Sequence, residues 1–185
     1  MQNIMKRIIF VASVYVMIFF CSVFCYANVI IEDCEFGTYC ISDTLYQVEL
    51  PEYAPTTNTK IYCTKDEVNK DEPENNIIII SGTTAYGTSM EDIKKHAEVI
   101  VKSMIYKNQM FNIVIDKYDT NVGNTKNGDI LISITTISEN GLFEAEHHII
   151  TNYKFTIVSE RCIDFNKKAE LDANVQLVLD TYVFK

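Results

Sequence analysis

The chain has few of the arrangements that enzymatic chemistry demands. Its 185 residues include three histidines, His96, His147 and His148, so any histidine-dependent reaction has to run through those positions. There is no Gly-x-Ser-x-Gly elbow, and no serine or cysteine stands in another recognisable nucleophile motif. No two cysteines are spaced Cys-x-x-Cys, which removes the usual half of a structural zinc site. Basic residues are also scarce, 16 against 25 acidic ones, for a formal charge of -9. Nucleic acid needs a basic footprint, so an acidic domain excludes it as a partner and makes a basic protein the better charged one. Acidity kept for solubility accounts for the same balance.

What is present begins with an export signature. Lys6 and Arg7 precede an apolar core over residues 8–20, and Cys25-Tyr26-Ala27 supplies a small-x-small cleavage site. Residues 1–27 are therefore expected to be a signal peptide and residues 28–185 one exported domain of the periplasm or cell envelope. The alternative is an uncleaved anchor, because the apolar run over residues 8–24 approaches the roughly 17-residue lower limit for spanning. A lipoprotein fits less well, since Val23 and Phe24 are not the small residues that a lipobox carries before its cysteine. Loss of Lys6 and Arg7 would take the formal charge to -11. Abundant Ile, Asn and Lys point to an AT-rich bacterial genome. Residues 28–185 hold no Asn-x-Ser/Thr acceptor, in keeping with that source.

Cys34, Cys40, Cys63 and Cys162 remain after cleavage, an even number that favours disulfides in an exported chain. The preferred pairing of the three available is Cys34–Cys40 with Cys63–Cys162. The first would close a short loop, and the second would staple an early strand to a late one.

The pattern along the chain is strands, helix, strands, helix. Short apolar runs over residues 29–31, 44–50 and 60–63 read as strands, with Pro51 and Pro55 breaking the second. A polar, charged segment over residues 64–76 reads as a solvated loop. Ile77, Ile78, Ile79 and Ile80 do not alternate with polar residues, so they belong to a central strand buried on both faces. Ser89 with Asp92 resembles a capping box, and Ile93, Ala97, Ile100, Val101, Met104 and Ile105 then fall on one helical face. Further strands are expected over residues 110–115, 129–138, 142–151 and 153–159, with Asn140-Gly141 as a hairpin turn. Leu171, Val175, Val178, Leu179 and Tyr182 mark a closing helix with Asn166 as its N-cap. The fold class that follows is α+β, an antiparallel or mixed β-sheet covered by two helices.

The segment Tyr46-Gln47-Val48-Glu49-Leu50-Pro51-Glu52-Tyr53, with the central and closing helices, resembles the PsbP-like fold. That architecture is shared by photosystem extrinsic subunits, a Ran-binding protein and small bacterial envelope domains. It hosts unrelated functions, so the resemblance implies an α/β sandwich and no particular activity.

Three groups of residues could carry chemistry. Gly82-Thr83-Thr84-Ala85-Tyr86-Gly87-Thr88-Ser89 nearly matches a phosphate-binding loop, but Thr88 stands where the lysine should be, which leaves at most an anion at a helix start. Glu144, Glu146 and His148 share one face of their strand and could hold a divalent metal or act as an acid/base set; a polar solvent-facing strand surface is the plainer account. His147 points the other way, among apolar neighbours. Asp92 could orient His96 one helical turn on. The 11 tyrosines could furnish a protein-binding surface or be ordinary sheet residues. No catalytic residue and no cofactor is implied.

The function expected is an exported, non-enzymatic protein-binding domain. Two concrete forms are an immunity-type protein neutralising a secreted toxin and an accessory subunit of an envelope complex. The alternative is a small metal-dependent hydrolase or a ligand-binding envelope protein. The N-terminal sequence of the protein recovered from its own envelope is expected to begin at Asn28; retention of residues 1–27 would make the segment an anchor.

Overall fold

Four isoleucines in a row predict a strand buried on both faces, and the computed structural model buries Ile77 and Ile79 fully but Ile78 and Ile80 only in part. It describes residues 29–49, 58–83, 89–151 and 153–185; the expected signal peptide, Pro51 and Pro55 lie outside these. The isoleucines form β5 (Asn76–Thr83), inside a seven-stranded sheet. The order is β3 (Leu45–Val48), β4 (Thr59–Thr64), β5, β9 (Lys154–Cys162), β8 (Phe143–Ile150), β7 (Ile130–Ser138) and β6 (Ile115–Asn124). Every neighbouring pair is antiparallel. A separate three-stranded sheet joins β1 (Val29–Asp33), β2 (Gly37–Ser42) and β10 (Val183–Phe184).

Two helices cover the larger sheet. In α1 (Met90–Met110), the Ser89 side chain accepts from the Asp92 amide as the capping pattern requires. Its residues Ile93, Ala97, Ile100 and Met104 pack on Ile132, Ile134 and Ile150. On the other face α2 (Phe165–Thr181) sets Leu171, Val175, Val178 and Leu179 against Ile77, Ile79, Ala145 and Val158. The expected α+β architecture is the one observed.

Several boundaries differ from expectation, each for a physical reason. The strand expected over residues 110–115 is instead the end of α1 and a turn, in which Asn112 takes a φ of 56°. The strand there is β6, which begins at Ile115 and pairs only with β7. Nearly all its residues are exposed, so it carries no apolar alternation. Asp164, not Asn166, caps α2, its carboxylate accepting from the Asn166 amide at 3.0 Å. Gly82 and Thr83 lie in β5 rather than in a phosphate loop, of which residues 84–88 lie outside the described part. A Cβ at Gly82 would come within 2.9 Å of the Phe155 ring, so close packing accounts for that glycine. Gly141, with φ of 84°, makes the β7–β8 turn as its sequence predicts.

The two expected disulfides are not formed, and all four cysteines are free thiols. Cys63 and Cys162 sit on β4 and β9 with β5 between them, two strand spacings or about 9.6 Å apart. A disulfide tolerates a Cα separation of at most about 7 Å. Cys40 pairs with Ile31 across β1 and β2, three residues before Cys34, which separates that pair along the strand by about 10 Å.

The segment read as a solvated loop is pinned from within. Glu67 is fully buried there, and its Oε2 accepts from the Glu74 and Asn75 amides at 2.7 and 2.9 Å. Its Oε1 accepts from the Asn75 side chain and from Lys167 of α2, the latter at 3.0 Å. Asn75 Oδ1 in turn accepts from the Ile163 and Asp164 amides at 2.9 and 2.8 Å. Burial pushes the Glu67 carboxyl up, but the Asn75, Lys167 and Glu74 donors outweigh it and hold it at about 2. Ionised Glu67 therefore stabilises the fold fully above the ordinary glutamate range, and that contribution is lost as pH falls toward 2. Glu67→Gln is expected to cost about 3 kcal/mol in urea unfolding at neutral pH. The difference from the parent chain should shrink as the pH is lowered.

Candidate functional site

The alternation of β8 divides its side chains as the sequence suggests, but both faces are largely covered, Glu146 and His147 being half-buried and the other six residues buried. Glu144, Glu146, His148 and Ile150 lie on the α1 side, with Phe143, Ala145, His147 and Ile149 on the α2 side. Glu144 and His148 are both buried. The polar face expected at the surface is roofed by α1, its last turn over Glu144 and its second turn, through His96, over His148.

Glu144 is held from above. Asn108 Nδ2 donates to its Oε2 at 3.0 Å and also to the Met104 carbonyl at 3.0 Å, while Lys107 Nζ lies 3.6 Å from its Oε1. The register sets Arg161 of β9 beside Glu144 and sets Asn76 of β5 beside Arg161. Together with Ser159 and Ile78 these residues line a cavity of about 430 Å³ under the C-terminal end of α1. Asn76 donates to the Pro73 carbonyl at 2.6 Å, yet its Oδ1 is buried without a hydrogen-bond partner. Lys107 and Arg161 in this cavity are matched in number by Glu144 and Glu72, so its lining is polar without a net charge and keeps one unused acceptor at Asn76.

The other two predicted residues form a separate pair further along β8. His148 Nε2 lies 3.1 Å from Glu146 Oε2, and the His148 ring meets the His96 ring edge-on with centroids 5.9 Å apart. Burial, and then the neighbouring His148, push the His96 pKa down. Glu144 turns to Asn108 and Lys107, whereas Glu146 and His148 turn to each other, so the three do not converge. Among the described residues no group of three or more His, Cys, Asp or Glu is placed to hold a metal ion. His96 contacts His148 across the helix–sheet contact, away from the role considered for Asp92.

The α2 face carries residues that sequence reasoning passed over. Glu160 of β9 is 2% exposed, and its Oε1 has no hydrogen-bond partner. Burial, then the neighbouring Asp172, push its carboxyl up to about 8 against the pull of Lys168. His147 Nδ1 lies 2.9 Å from the Ser133 hydroxyl, and burial above all pushes its pKa down to about 4. The signal for Glu160 was present: it occupies the inward phase of Thr156, Val158 and Cys162, where an apolar residue belongs. Of the tyrosines, Tyr39, Tyr62 and Tyr182 are core residues, the first two joined by a 2.9 Å hydrogen bond between their hydroxyls.

The architecture is PsbP-like. The chain is similar to the solution structure of cyanobacterial PsbP (CyanoP) from Synechocystis sp. PCC 6803, with a TM-score of 0.58 over 86% of this chain and 94% of that chain. The two are 8% identical, so the likeness shows the fold alone. No protein-family model and no curated protein matches the chain.

Asn108→Ala removes the donor to buried Glu144 and is expected to cost about 2 kcal/mol in thermal or urea unfolding. An unchanged stability would mean that Lys107 and water satisfy Glu144 without it.

Proposed function

We propose that the chain is an exported, non-enzymatic domain that binds another protein through the C-terminal end of α1. The observation that carries this reading is the grouping of large apolar side chains there. Tyr106, Met110, Phe111 and Val114 are 65%, 67%, 68% and 57% exposed, within the last turns of α1 and the turn that leaves it. Scattered exposed apolar residues need no explanation, but a group of this size on one end of a domain is the mark of an interaction surface. Phe111 also lines the cavity beneath, beside Lys107 and Asn108, so apolar contact and polar recognition adjoin. The formal charge of -9 favours a basic partner.

An accessory subunit of an envelope complex and an immunity-type protein both fit this surface, and the identity of the partner separates them. A PsbP-like sandwich supplies a rigid platform for either without implying one of them.

Native mass spectrometry of the protein isolated from its own envelope is expected to show a second protein in fixed stoichiometry. The double variant Met110→Asp, Phe111→Asp changes exposed residues, so it should fold as the parent chain does and lose that partner. A bare parent chain would overturn the reading, and a partner retained by the variant would move the interface elsewhere.

A further inference from the structure

On the opposite side of the sheet, away from the docking surface above, lies a second cavity of about 340 Å³ between α2 and the strands. The register aligns Thr135 of β7, Ala145 of β8 and Glu160 of β9 in one row across its floor. Ala145 in the middle of that row leaves space that a larger residue would fill. Asp172 and Lys168 of α2 stand over it, and Phe143, Val175 and Leu179 add apolar wall.

We propose that this cleft binds a small aliphatic primary ammonium compound. The geometry of Glu160 is the starting point: a carboxyl 2% exposed, lining the cavity, with an oxygen that nothing in the fold contacts as a donor. A buried polar oxygen left unpaired is costly, and a ligand donor would remove that cost.

The sign of the ligand follows from the charges around it. Asp172 and Lys168 form an ion pair with Oδ1 and Nζ 2.5 Å apart, and the Lys168 ammonium also sits 3.7 Å over the Phe143 ring. With that pair neutral as a unit, an ionised Glu160 gives the cleft one net negative charge. A carboxylate or phosphate would meet the Asp172 carboxylate and, once Glu160 ionises, a second one. An ammonium group offers three donors, which can reach Glu160 Oε1, the Asp172 carboxylate and the Thr135 hydroxyl. A metal ion is disfavoured because no group of three or more ligating side chains is placed for one among the described residues.

Binding is coupled to a proton. The groups facing Glu160 are Asp172 and Lys168 from α2 and His147 from β8; Ile77 of β5 and Ala145 of β8 beside it carry none, and Cys162 follows on its own strand. Since burial and Asp172 hold the Glu160 carboxyl near 8, it is protonated in the empty cleft at neutral pH. The ammonium ligand arrives carrying its charge, Glu160 loses its proton to solvent, and no covalent bond changes. His147, held near 4, stays neutral throughout. Affinity therefore rises as pH approaches 8 and levels off above it.

The test is calorimetric titration of the purified chain with n-butylamine, with n-butanol and butyrate as controls of the same shape. Two buffers of different ionisation heat count the protons exchanged. The expected result is one butylamine per chain, with nearly one proton released at pH 7 and progressively fewer above pH 8, and no comparable binding of either control. Glu160→Gln keeps shape and neutral charge, so it should fold with an unchanged circular dichroism spectrum, weaken butylamine at least about tenfold and abolish the proton release. Should that variant fail to fold, Asp172→Asn, at the open end of the cleft, is expected to weaken butylamine on a native spectrum. The proposal is overturned if butylamine gives no binding to the folded chain at pH 8. It is equally overturned if butanol or butyrate binds as well, or if a folded variant binds butylamine undiminished. None of these outcomes bears on the partner of α1.

Discussion

A single sheet covered by a helix on each face governs this protein. The strands in its middle have little water to turn to: β5, β9 and β8 are buried on the α2 side, and on the other side β5 and β9 are half-buried, with Arg161 exposed. For the isoleucines of β5 this burial is favourable, at about 25 cal/mol per Å² of apolar surface removed from water. For Glu144, His148, His147 and Glu160 it is a demand, since a polar group taken from water needs a partner. The fold answers with Asn108 and Lys107 for Glu144, Glu146 for His148 and Ser133 for His147. It leaves Asn76 Oδ1 and Glu160 Oε1 unanswered, one on each side of the sheet, and each lines a cavity.

The position of α2 over the sheet is fixed from outside the core as well. Lys167 and Lys168 are neighbours in its first turns but face different tasks: Lys167 reaches Asp66 and Glu67 of the β4–β5 connection, and Lys168 reaches Asp172 and the Phe143 ring. Asn75 fastens the residues leading into the helix, through the Ile163 and Asp164 amides. The buried Glu67 carboxylate thus holds the roof under which Glu160 lies, although the two are not in contact.

What the sequence made legible was periodicity, and what it concealed was adjacency. The helical phase of Ile93, Ala97, Ile100 and Met104, the continuous apolar run of β5 and the turn at Gly141 are local facts, and the structure keeps all of them. The alternation along β8 also told correctly which residues share a face. It could not tell that α1 covers that face, because the covering helix lies elsewhere in the chain. Cys63 and Cys162 looked pairable only while β5 was not known to run between their strands. β6 was missed because an edge strand that is mostly exposed carries little apolar pattern: Val122 packs on the α1 cluster, while Asp116, Lys117 and Asp119 are charged and exposed. Glu67 and Asn75 gave no signal at all, being polar residues in a polar segment whose burial depends on the approach of α2.

The sheet order also sets the route by which the chain can assemble. β6, β7, β8 and β9 follow one another as neighbours, so their pairings close short loops and need little loss of chain entropy. The pairing of β5 with β9 joins residues 76–83 to residues 154–162, and β10 returns to β2 from the far end of the chain. These distant pairings give the topology a high contact order, which slows folding because the entropy of closing long loops precedes any reward for the contact. The middle of the sheet is therefore the long-range junction between the β6–β9 meander and the strands that precede it, and burial of Ile77 and Ile79 depends on that junction.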